Sequence, residues 1–165
     1  MLRVALGGQS VVRSWSVHSV HHRPGAGVTA CYVVVVETLH DNGEVESKEE
    51  YMCASTARLS RPDKVLSKLQ SQGTKVSIWR YPDDPELPGL PEACSPERMS
   101  KRLGEPVSIE LMSYRPTRRA VVKVSRHDGV MAFGKVLRLP QARDLAHRHR
   151  ILENSAVPSP RLLME

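Results

Sequence analysis

Apolar and polar positions alternate through the first third of the chain, which is the period of a strand. Ser14 to His22 predicts one, with Trp15, Val17 and Ser19 on one face and His18, Val20 and His22 on the other. Arg23-Pro-Gly-Ala-Gly interrupts it, because proline fixes φ and the glycines permit turns. Val28 to Leu39 is rich in β-branched residues and predicts the strongest strand of the chain. Asp41-Asn-Gly then supplies a hairpin turn, and Glu49 to Ser55 returns as the partner.

The period then changes. Ser60 reads as an N-cap, Pro62 and Asp63 as first-turn residues, and Val65, Leu66 and Leu69 as the apolar stripe of a helix ended by Gly73. Lys75 to Trp79 predicts a short strand. Tyr81 to Pro91 carries so many prolines that neither a helix nor a central strand is expected in it, and its carboxylates Asp83, Asp84 and Glu86 read as solvated. Ser95 to Leu103 predicts a helix closed by Gly104. Val107 to Tyr114 reads as a strand, and Arg119 to Ser125 with Val130 to Leu137 as a hairpin about His127-Asp-Gly. Pro140 to Asn154 has Ala142, Leu145, Ala146, His149 and Leu152 spaced for one face of a helix, and beyond Pro158 and Pro160 an extended segment begins at Arg161. An Arg-Pro pair recurs before two hairpins, at Arg23-Pro24 and Arg115-Pro116.

Composition narrows the core. Hydrophobic residues make up 40%, which is globular, but one Phe and two Trp leave packing to Val, Leu, Ile and Met. The net charge of +6 is unevenly placed. Arg115 to Arg150 holds ten Lys/Arg against two acids, Asp128 and Asp144, a local +8 that leaves −2 for the remainder. Such a block favours an anionic ligand such as a nucleotide, a nucleic acid or a membrane surface, and a solvated basic face accounts for it equally well. Cys31, Cys53 and Cys94 are odd in number and widely spaced, against both a disulfide framework and a structural zinc site, so they read as small buried hydrophobes. The longest aliphatic run, Val33 to Val36, is far too short to span a bilayer, and residues 1–20 lack a signal-peptide core, so a cytoplasmic location is the expectation. His18, His21 and His22 point to both faces of a strand, and His147 and His149 diverge around a helix, so no metal site is expected.

Lys135 is the residue singled out by its setting. In Phe133-Gly-Lys-Val-Leu-Arg it interrupts an apolar strand, where a buried lysine is costly unless it meets an anion. The alternative is an edge-strand lysine facing water. The stretches Arg115-Pro-Thr-Arg-Arg-Ala-Val-Val-Lys-Val, Gly134-Lys-Val-Leu-Arg, His147-Arg-His-Arg-Ile-Leu and Val157-Pro-Ser-Pro-Arg together resemble the N-terminal lobe of the aminoglycoside phosphotransferase and maltokinase-like family. Trp79-Arg-Tyr-Pro-Asp-Asp-Pro-Glu-Leu-Pro-Gly-Leu resembles the segment before that lobe in actinobacterial members.

The resemblance implies an α+β fold in three parts: a β-rich cap over residues 1–80, a proline-rich connector with a short helix over 81–104, and a kinase-like N-lobe over 105–165. It implies ATP-dependent phosphorylation of a hydroxyl on a sugar, an aminoglycoside or a similar small molecule. Lys135 takes the place of the phosphate-binding lysine. Arg115 to Arg119 takes that of the nucleotide-covering loop, without glycine, so that Arg118 and Arg119 would supply charge instead. Asp144 is the best-placed acid to orient the lysine. No His-x-Asp base occurs in the chain and no magnesium ligands are recognised, so the resemblance implies an ATP site completed by a C-lobe or a partner chain, inactive without it. The other readings are a nonenzymatic basic module for nucleic acid, disfavoured by the lack of stacking aromatics, and a truncated product without function.

Overall fold

The computed structural model describes residues 10–61, 65–71 and 73–164. It divides between Glu86 and Leu87 into two compact units, each built on an antiparallel sheet. The fold is α+β, with few helices.

The first unit is a five-stranded sheet in the order β1-β2-β3-β5-β4. Its strands are β1 (Ser10–Arg23), β2 (Gly27–Leu39), β3 (Val45–Ser55), β4 (Ser67–Ser71) and β5 (Thr74–Arg80). The first three form the expected meander. Gly43 closes the β2–β3 turn at φ 84°, while the Asn42 side chain accepts the Glu44 N–H at 3.0 Å. One face of the sheet carries the core: Val12, Val34, Val36, Met52 and Ile78, with Tyr32, Ala54, Leu69 and Val76 packed against it. Strand β1 departs from simple alternation. Bulges between Val12 and Ser14 and between Val17 and Ser19 shift the register, so Val17 pairs with Tyr32 while Ser19 pairs with Cys31. Val17 and Ser19 therefore lie on opposite faces.

The helix expected after Ser60 is not formed where the structure describes it. Pro62 and Asp63 lie outside the described residues, but Ser67–Ser71 is strand β4, paired with β5 so that Leu69 faces Val76. The apolar pair Val65 and Leu69 fits either period, since a spacing of four residues returns to one face of a helix and of a strand alike. Leu66 decides between them. A helical stripe would bury it, whereas it is 46% exposed and Leu69 joins the sheet core. The carboxylates of the connector also differ from expectation. Asp84 and Glu86 are buried, and Glu86 accepts both the Ser60 N–H and, at 2.7 Å, its hydroxyl. Asp84 Oδ1 in turn accepts the Glu86 N–H at 2.8 Å. Burial of a carboxylate is tolerated when its lone pairs are met in this way.

The second unit holds a three-stranded meander, β6 (Ser108–Arg115), β7 (Arg119–Arg126) and β8 (Gly129–Leu137), in that order. Three helices accompany it: α1 (Leu90–Ala93), α2 (Pro96–Leu103) and α3 (Leu139–Glu153). Helix α1 falls where none was expected. Its proline sits in the first turn, where no amide is needed, and Leu90 is fully buried. Helix α2 starts and stops as its sequence reads: the Ser95 hydroxyl accepts the Arg98 N–H, and Gly104 ends it in the left-handed region at φ 78°. Met99, Val107, Val122 and Val124 form the core of this unit. In α3, Ala146 is buried and Ala142, Leu145, His149 and Leu152 are half-buried, the face foreseen from their spacing. No helix of the described residues is long and apolar enough to cross a membrane.

The strand assignment of β4 makes a direct prediction. Leu69→Ala should cost about 1–2 kcal/mol, less than a fully buried leucine, and Leu66→Ala should stay within about 0.5 kcal/mol. Denaturant titration of the two variants checks this, and equal losses would return both residues to a helical stripe.

Candidate anion site on the second sheet

Strand register divides the second sheet into two faces. On β7, Ala120, Val122 and Val124 are buried, and they pair with Val136, Gly134 and Ala132 of β8. The intervening positions share the other face: Arg119 with Leu137, Val121 with Lys135, and Lys123 with Phe133. From β6, Arg115 and Ser113 join that face opposite Arg119 and Val121. Phe133 is 61% exposed there, and Lys135, Arg119 and Arg115 are exposed beside it.

Lys135 therefore lies on β8, an edge strand of this sheet rather than a central one, with its side chain exposed. Of the two sequence readings, the placement is that of the edge-strand lysine. Its neighbour Gly134 shows why the local sequence is constrained. A Cβ at Gly134 would come within 2.9 Å of Val122 Cγ2, so the glycine lets β8 lie close to the buried face of β7.

The β6–β7 connection has a geometry that spacing alone does not reveal. Arg115 opens a turn closed by an Arg118 N–H to Arg115 carbonyl bond of 3.0 Å, with Pro116 and Thr117 at its centre. The β1–β2 connection is built in the same way, Ala26 N–H to Arg23 carbonyl at 3.0 Å about Pro24 and Gly25. Both Arg-Pro pairs thus occupy the turn itself rather than preceding it, proline being favoured at its second position. Gly25 takes φ 74° and Thr117 takes φ 61°, the left-handed conformation that a β-branched residue rarely adopts. The tip lacking glycine is held in a glycine-like conformation by its surroundings. Arg138, the N-cap residue of α3, donates from Nε to the Thr117 carbonyl at 2.7 Å, and Thr117 is buried. Arg138 is the structural residue that sequence reasoning missed; its place just before Leu139-Pro140 was the available signal.

Charge on this unit is only partly neutralised. Lys123 pairs with Glu110, Arg126 with Glu105 and Asp128, and Arg102 with Glu92. Asp144, the candidate for orienting Lys135, instead pairs with Arg148 one turn along α3 at 2.5 Å, both side chains 62% exposed. Arg118 is exposed at the turn. Among the described residues, Arg115, Arg119 and Lys135 have no acid partner. Arg115 and Arg119 face each other across the ladder, and Lys135 is diagonal to Arg119. Like charges directly opposite are unfavourable unless an anion joins them. Among the described residues no group of His, Cys, Asp and Glu gathers to hold a metal ion. In the first unit, an open groove of about 280 Å³ is lined by Val33, Lys48, Glu49, Glu50, Tyr51, Arg80 and Tyr81, but Arg80 and Glu50 already neutralise each other at 2.8 Å.

No family model matches the chain, and neither the curated proteins nor the solved structures give a match.

Two substitutions test how that surface is held. Gly134→Ala should destabilise the second unit by about 1–3 kcal/mol, because the stiff Val122 side chain must move. Arg138→Ala removes a charged donor from a partly buried carbonyl and should cost about 1–2 kcal/mol. Thermal or urea unfolding checks both, and an unchanged Gly134→Ala protein would show that β7 and β8 are not so closely packed.

Proposed function

We propose that residues 87–165 form the nucleotide-engaging part of a small-molecule phosphotransferase, with Lys135, Arg119 and Arg115 directed at the phosphates. The observation that carries this reading is the corner of exposed sheet where these three cations gather without an acid partner. A polyphosphate is the compact multivalent anion that relieves such a cluster. Phe133 and Val121 add apolar surface on the same face, suited to a base or ribose. The β6–β7 hairpin, the lysine-bearing strand β8 and the helix α3 follow one another in the order that the family resemblance implies. Asp144, the acid expected to orient Lys135, pairs with Arg148 one turn along α3. The acceptor on this reading is a hydroxyl of a sugar, aminoglycoside or related molecule. The 165-residue chain, lacking a His-x-Asp base, binds nucleotide without transferring its phosphate.

The second reading, a basic surface for nucleic acid, draws on the same charge but spreads it over Arg118, Arg143, Arg148 and Arg150 as well. Titration of the chain with ATP, with adenosine and with a single-stranded RNA, at low and moderate salt, separates the two. We expect weak ATP binding, no binding of adenosine, and a loss of about tenfold or more on Lys135→Ala, equivalent to about 1.4 kcal/mol. RNA should bind only at low salt. Tight RNA binding at moderate salt that ignores Lys135→Ala would replace the nucleotide reading with the nucleic-acid one.

A further inference from the structure

The sheet of the first unit brings together two of the three cysteines. Cys31 on β2 and Cys53 on β3 stand directly opposite each other in the ladder, both side chains fully buried, with their sulfurs 2.9 Å apart. Directly opposed residues of antiparallel strands have Cα atoms about 4.5–5.5 Å apart, inside the window of about 4.4–6.8 Å that a disulfide spans. The pair thus starts within disulfide reach, its sulfurs already adjacent. Neither is in a disulfide, nor is Cys94. We propose that Cys31 and Cys53 are a peroxide-sensitive thiol pair that converts reversibly to a cross-strand disulfide, locking β2 to β3.

The local chemistry suits Cys31 as the first to react. The Cys53 thiol beside it lowers its pKa from the ordinary value, and the hydroxyls of Tyr51 and Ser19 act in the same sense, while burial opposes them. Thiolate is the nucleophilic form. The Tyr51 phenol, raised by burial and by Cys31, stays protonated and available as a donor. Full burial selects the oxidant: hydrogen peroxide, little larger than water, needs only a small opening of the sheet, whereas a bulky disulfide needs a large one.

The step balances. The Cys31 thiolate attacks one peroxide oxygen, the O–O bond breaks, Cys31 becomes a sulfenic acid and hydroxide leaves. The Cys53 sulfur then attacks the Cys31 sulfur; the S–O bond breaks, the S–S bond forms, and the departing hydroxide takes the Cys53 proton as water. Two thiols lose two electrons, and the peroxide is reduced to two waters. A thiol reductant restores the pair. This chemistry is of the reversible, sensing kind that cysteines serve in a reducing compartment.

The test treats the reduced full chain with hydrogen peroxide, quenches it, denatures it and alkylates the remaining thiols. Mass analysis should find the three free thiols reduced to Cys94 alone, with the chain lighter by two hydrogens before alkylation and a Cys31–Cys53 linked peptide in the digest. Dithiothreitol should restore all three, and the oxidised chain should melt at a higher temperature. In Cys53→Ser the bond cannot form, and dimedone should trap Cys31 as its sulfenic acid. If that variant fails to fold by circular dichroism, the peptide map of the unaltered chain decides alone. Three free thiols after peroxide that oxidises the denatured chain would overturn the proposal, as would a bond through Cys94 or between two chains.

Discussion

The unbroken ladder between β2 and β3 is the constraint on which the first unit depends. It runs from Thr29 opposite Ser55 to Leu39 opposite Val45 without a bulge. Side chains alternate with a period of two, so a slip of β3 by one residue would turn Met52 out of the core and bring Glu49 and Tyr51 towards it. The chain has few aromatics with which to repair such an error. The same register sets Thr29 against Ser55, hydroxyl to hydroxyl at 2.8 Å, and Cys31 against Cys53. The polar and thiol chemistry buried on that face is thus a consequence of the register that packs valines on the other.

In the second unit β7 has the corresponding role, with β6 and β8 on either side. Its inward residues are small or β-branched, which lets Val122 lie against the bare backbone of Gly134. Its outward residues are cationic at the turn end and paired with acid further along, as Lys123 is with Glu110. Neutralisation is thus uneven: among the described residues the corner of Arg115, Arg119 and Lys135 has no acid partner, whereas Lys123 and Arg126 do. Exposed pairs such as Asp144–Arg148 contribute little to stability, so their effect here is chiefly to remove charge from the rest of the unit.

Much of this architecture was legible in the chain. The N-cap serine and terminal glycine of α2, the Asn-Gly turn and the apolar face of α3 are local signals, and each carries its own physical cause. The misreadings share a different origin. Val65 and Leu69 fit two periods at once, and only pairing with β5 chooses between them. The bulge before Ser19 adds a residue that no alternation count anticipates. Burial of Glu86 goes with a partner distant in sequence, Ser60, and Asp84 is buried beside it, accepting the Glu86 N–H. Lys135 was recognised as unusual, yet its edge position depends on which strands join the sheet. Arg119 and Arg115 come to lie beside it through the same strand pairing.

The cysteine pair shows how far register reasoning can reach when a turn is secure. Cys31 and Cys53 each lie eleven residues from Asn42, the centre of the β2–β3 hairpin, so a regular ladder from that turn must place them opposite one another. Spacing statistics that search for short cysteine motifs miss such a pair, because its members are joined by the sheet and not by the sequence. Opposition alone would be common to any two facing residues. What gives this one chemical meaning is that the Cys53 thiol, with the Tyr51 and Ser19 hydroxyls, favours the Cys31 thiolate against burial, so that the reaction is governed by access to the pair rather than by the meeting of its two sulfurs. Opening of the sheet near Ser19, where β1 is already irregular, would then control how fast oxidation proceeds.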